Sequence, residues 1–121
     1  MAMSDLANRC IESGGILATT LGDLRDAVDA GKLGRLVMER IAQELAANGL
    51  GYFPPEVLDF NDQPRQGEAI RVYRKGTSAA ARAIEAVLEP SVRGDAFLVE
   101  LGSSDAQDKL LRIREIVATD P

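Results

Sequence analysis

Few of the 121 residues can carry out chemistry on their own. The sequence contains no histidine, which removes His-dependent triads and most imidazole-based metal sites. Its one thiol, Cys10, has no imidazole to activate it and no second cysteine for an internal disulfide. In RKGTS the lysine precedes the glycine, unlike a phosphate-binding loop, and the chain has no GxGxxG. Asp59, Asn61 and Gln63 have the spacing of the first ligands of a calcium loop. Pro64, however, stands where that loop needs glycine, and Ile70 where it needs a glutamate. Glu85 and Glu89 share a helix face, as surface carboxylates often do. Thr77 and Ser78 after Gly76 can either bind an anion at a helix N-terminus or simply cap that helix, and capping is the commoner use. These residues lead us to expect a non-catalytic protein with no metal and no cofactor.

Charge offers more. The net charge is −5, which argues against a surface coated in basic residues for wrapping nucleic acid. Between Lys32 and Ala47, Lys32, Arg35 and Arg40 outnumber Glu39 and Glu44 by one. Between Asn61 and Lys75, Arg65, Arg71, Arg74 and Lys75 outnumber Asp62 and Glu68 by two, which leaves −8 for the rest of the chain. Side by side, the two segments would make a weakly positive face on an acidic body.

The elements that must position these residues are short and closely spaced. At this length one domain covering residues 1–121 is expected. Its core must be mainly Leu, Ile, Val and Ala, since aromatics make up 4% of the chain and Trp is absent. A first helix is predicted from a Ser4 cap to about Ser13, with Leu6, Ala7, Cys10 and Ile11 inward and Gly14-Gly15 as its stop. Ile16 and Leu17 make a brief extended pass. Thr20 and Asp23 imitate a capping box for a second helix through Ala30, with Gly31 ending it. In GKLGRLVMERIAQELAANGLGYFPP, the residues Leu33, Leu36, Val37, Ile41 and Leu45 follow the rule of a core-facing stripe, and Asn48-Gly49 is a helix stop.

LGYF then reads as a strand that Pro54-Pro55 ends, EVLDFNDQPRQG as a loop, and EAIRVYRKG as a strand returning beside LGYF. Thr77 or Ser78 caps a fourth helix with Ala80, Ile84, Val87 and Leu88 apolar, stopped by Pro90. DAFLVEL is a further candidate strand, and Ser104 caps a last helix striped by Ala106, Leu110, Ile113 and Val117 and broadened by Leu111 and Ile116. The fold class is therefore α+β. The start of the chain has no basic region followed by an apolar run, and no segment approaches the ~20 apolar residues of a membrane span, so a cytoplasmic protein is expected.

Three helices followed by a hairpin with a long tip look like a winged helix-turn-helix domain over residues 4–76. The segment LGDLRDAVDAGKLGRLVMERIAQELAANGLGYFPP resembles a winged helix that recurs in bacterial proteins beside restriction and defence modules. This resemblance implies a three-helix core with a β-hairpin wing, followed by a helix-strand-helix extension over residues 77–121. It also implies that the helix from about Leu33 to Ala47 enters the major groove of duplex DNA. Its outward face would be Lys32, Arg35, Glu39 and Gln43, bordered by Arg40 and Glu44. The wing would be Pro55 to Ala69 with Arg65 at its tip, and Arg71, Arg74 and Lys75 on or after the returning strand. The nucleic-acid contacts implied are thus Lys32, Arg35, Gln43, Arg65, Arg71, Arg74 and Lys75, with arginine suited to guanine, glutamine to adenine, and any cation to phosphate.

The sequence departs from that pattern in Glu39 and Glu44 on the reading helix and in Asp59, Asp62 and Glu68 on the wing. Some winged helices of this kind mediate protein contacts instead. The reading that follows is a small non-catalytic module that binds duplex DNA; the alternative is a protein-interaction adaptor or dimerisation domain without nucleic-acid binding, using Tyr52, Leu111 or Ile116. The same residues have plainer uses. Arg35, Glu39 and Gln43 suit a solvated helix face, RVYRKG suits a guarded strand edge, and Tyr52 and Phe53 suit core filling.

Overall fold

The structure, a computed structural model, describes residues 2–103. It is α+β, with five α-helices and one three-stranded antiparallel sheet among the described residues. None of the helices in that range is long and apolar enough to cross a membrane. The chain divides after Thr77 into two compact units.

In the first unit the order is α1 (Met3–Glu12), β1 (Ile16–Thr20), α2 (Leu21–Ala27), α3 (Arg35–Ala47), β2 (Leu50–Phe53), a 3-10 turn (Pro55–Val57) and β3 (Ala69–Arg74). Helix α1 starts one residue before the expected Ser4 cap, because the Asp5 carboxylate accepts the Ala2 N–H at 3.0 Å. Strand β1 is longer than a brief pass. It runs antiparallel to β3 over five residues, Ile16 opposite Tyr73 and Thr20 opposite Ala69. Thr20 caps α2 as expected, its side chain accepting the Asp23 N–H. The helix stops at Ala27, short of Ala30, because Asp29 takes a positive φ of 57° and the Ala30 N–H turns back to the Arg25 carbonyl. That is a left-handed C-terminal cap.

Helix α3 ends as the sequence led us to expect, with Asn48 as cap and Gly49 at φ 71°. Its inward face is turned from the expected one. Met38, Ile41 and Leu45 are buried, whereas Leu36 is 79% exposed. Leu36 lies two residues, about 200°, from Met38 around the helix, so both cannot face the core. The hairpin forms as expected, with Leu50 opposite Arg74 and Phe53 opposite Arg71, and β3 lies between β1 and β2.

The core joins Leu6, Leu21, Leu24, Val28, Ile41, Leu45, Ile70 and Val72, none more than marginally exposed. Burying each contributes roughly 1.5–3 kcal/mol of transfer free energy. Cys10 shares this core, its thiol donating to the Val72 carbonyl at 3.6 Å. Burial pushes that thiol's pKa up, partly offset by Arg74.

The second unit begins with α4 (Ala79–Leu88), capped by Ser78 accepting the Ala81 N–H at 3.2 Å. Its buried positions are Ala81 and Ala86, while Ala80 and Val87, expected inward, are exposed. The expected strand DAFLVEL is instead part of a helix, α5 (Val92–Ser103). Gly94, Phe97, Leu98 and Leu101 are its half-buried positions, a helical i, i+3, i+4, i+7 set. Gly94 brings α5 against α4, since a Cβ there would sit 3.1 Å from the Ala86 Cβ. The Arg82 guanidinium covers the Phe97 ring at 4.1 Å. The helix-strand-helix extension is thus corrected to helix-helix as far as residue 103. The last expected helix, with Leu111 and Ile116, lies outside the described residues.

Candidate macromolecular interface

The long connection between β2 and β3 is tied down residue by residue. Leu58 is buried in the core, and the Asp59 N–H bonds the Pro55 carbonyl at 2.7 Å. The Tyr52 hydroxyl donates to Asp59 Oδ1. Burial, then the bond to Asp59 and its charge, raise the Tyr52 pKa well above the usual phenol value. Asn61 Nδ2 donates to the Val57 carbonyl at 2.7 Å and to Glu68 Oε1 at 3.2 Å. That same Glu68 oxygen accepts the Arg65 N–H. On the return side, the Gly22 and Leu21 N–H groups bond the carbonyls of Gln66 and Glu68, and Arg25 Nη1 donates to Gln66 Oε1. Asp59 and Asn61, the residues spaced like calcium ligands, are therefore engaged in holding the loop. Among the described residues no group of three or more His, Cys, Asp or Glu side chains is arranged to hold a metal ion.

Between these two anchored residues stands Phe60. Its backbone is left-handed, with φ 58°, and its side chain is fully exposed. A bulky residue in that region is strained by about 1–3 kcal/mol and persists where its surroundings impose it. Here the bonds of Asp59 and Asn61 impose it.

Phe60 forms one lip of a groove of about 930 Å³ between α3 and the loop. Leu33, Met38, Ala42 and Leu58 give it an apolar floor. Arg35, Glu39 and Gln43 line the helix side, and Asp59, Phe60 and Asp62 line the loop side. Arg35 Nε lies 3.7 Å from Glu39 Oε1, an exposed i, i+4 pair. One guanidinium against three carboxylates leaves the groove at −2. The N-terminus of α3 at Gly34 also opens into it, but its partial charge of roughly +0.5 does not reverse that balance.

Of the residues expected at a nucleic-acid surface, the structure brings Arg35 and Gln43 together in this groove. Lys32 is exposed just ahead of α3, and Arg65 is exposed on the loop. Arg71, Arg74 and Lys75 lie elsewhere. Arg71 points away from Ile70 and Val72, on the sheet face shared with Tyr73. Arg74 pairs with Leu50, and the Lys75 N–H bonds the Gly49 carbonyl. That end of the hairpin is separated from the loop by the length of β2 on one side and of β3 on the other, roughly 10–17 Å. Tyr52, a candidate partner contact, is half-buried and packs on the core. Leu111 and Ile116 fall outside the described residues.

Comparison with family models, curated proteins and solved structures finds no match for this chain.

The residue that sequence reasoning missed is Phe60. Its signal was an aromatic in the turn-rich acidic stretch LDFND, where a core position is hard to reach.

Proposed function

We propose that residues up to Thr77 form a winged-helix-like, non-catalytic binding module that recognises a protein partner through the groove between α3 and the β2–β3 loop. The winged-helix reading is supported by the element order α1-β1-α2-α3-β2-β3 and by the placement of β3 between β1 and β2. The choice of a protein partner rests on one observation: the surface where a reading helix and a wing would meet carries three carboxylates, an ion-paired arginine and a fully exposed phenylalanine. A phosphate backbone brought there would meet like charge. A fully exposed aromatic ring beside apolar surface is a typical anchor for proteins.

Duplex DNA is the second reading, favoured by the exposed cations Lys32, Arg40, Arg71, Arg74 and Lys75. Fluorescence anisotropy with a labelled random duplex, at low and physiological salt, separates the two. Protein recognition leaves the duplex unbound, or bound weakly and without effect of the Arg35→Ala/Arg71→Ala double mutant. Association that falls steeply with salt and with the double mutant would overturn it in favour of DNA.

A further inference from the structure

Building on the protein-recognition reading, we infer that the occupant of this groove is a positively charged amphipathic segment of a partner. Its apolar side chains would rest on half-buried Leu33 and Ala42 and on the exposed Phe60 ring, and its lysine or arginine side chains would face Asp59, Asp62 and Glu39.

Two properties of the groove select that chemistry together. Its accessible apolar surface at Leu33, Ala42 and Phe60 rewards burial of aliphatic side chains, which a purely polar segment cannot supply. Its rim is negative even after Arg35 is counted, so an acidic segment is repelled where a basic one is steered in. Phe60 contributes to both, because an exposed ring held at a fixed backbone angle offers an apolar edge and a face for a guanidinium. Arg35 has an inverse role. Paired to Glu39 at 3.7 Å, it occupies a carboxylate that the incoming cation would otherwise use, so its removal favours binding.

The test uses the full chain and three short fluorescein-labelled synthetic peptides: an amphipathic Lys/Leu helix former, its Glu/Leu counterpart with the same apolar face, and a Lys/Ser peptide of the same charge. Anisotropy should show the Lys/Leu peptide binding in a salt-sensitive way, with the other two at least about ten-fold weaker. Phe60→Asn should weaken the Lys/Leu peptide about ten-fold and Asp62→Asn about three-fold, while Arg35→Gln tightens it about two-fold. Glu12→Gln removes an equal charge from exposed α1, and should change nothing. Equal loss with Glu12→Gln would mean attraction to the whole acidic protein and would overturn the inference, as would binding to none of the peptides. Preference for the Glu/Leu peptide, lost with Phe60→Asn, would overturn the charge assignment while leaving protein recognition intact. Duplex binding lost with Arg35→Ala/Arg71→Ala would overturn both.

Discussion

Phe60 and Tyr52 carry the residue-scale consequences, and they are opposite in kind. The Phe60 ring buries nothing within the chain and sits on left-handed backbone. Asparagine tolerates that conformation better than any bulky residue. Phe60→Asn is therefore expected to leave the thermal midpoint unchanged or slightly higher, read by circular dichroism. A loss exceeding about 1 kcal/mol would mean that the ring is packed after all. Tyr52 holds the loop from inside, and its raised pKa fixes the sign of a pH effect. The native state keeps the phenolic proton at a pH where the unfolded chain, with a value near 10, releases it. Its contribution is full below about pH 10 and declines as pH rises toward the native value. Buried Cys10 acts in the same direction from 9.0 upward. Urea unfolding from pH 8 to 11 should show the wild type losing stability with rising pH, and Tyr52→Phe losing less of it above about pH 10. Equal slopes in the two proteins would contradict this.

At the scale of elements, the β2–β3 pairing depends on a close approach. A Cβ on Gly51 would lie 2.3 Å from Cζ of Tyr73, whose ring is buried and 6.0 Å from that of Phe53. Gly51→Ala is expected to cost about 1–3 kcal/mol in urea unfolding. A neutral effect would show that Tyr73 moves aside freely. The elements legible in the sequence are those whose local signals agree with their packing. The Thr20 cap, the Asn48-Gly49 stop and the LGYF/AIRVYR hairpin each combine a specific end residue with the right periodicity. Those misread had two competing periods. In α5, the run Phe97-Leu98-Val99 satisfies a strand, and only the spacing from Gly94 through Leu101 reveals the helix. In α3, Leu36 and Met38 both suit an apolar stripe, and which of them turns inward is settled by tertiary packing.

For the whole molecule, what the sequence hid was which charges meet. Counting along the chain suggested one weakly positive face made from two segments. Folding instead separates Arg74 and Lys75 from the loop by the length of the hairpin, and sets Asp59 and Asp62 opposite Glu39 across the groove. Such juxtapositions depend on strand register and loop path, neither of which a sequence-local charge count contains. A net charge of −5 already disfavours loose attraction to nucleic acid, and the acidic rim carries that bias to the groove itself. The most direct measurement is photocrosslinking from a photoreactive phenylalanine analogue at position 60, with the full chain in extract of cells that make it, followed by separate protease and nuclease digestion of the adducts. The expected result is a discrete adduct that nuclease leaves intact and that Asp62→Asn diminishes. An adduct removed by nuclease, or none above that obtained from position 12, would contradict recognition of a protein through this groove.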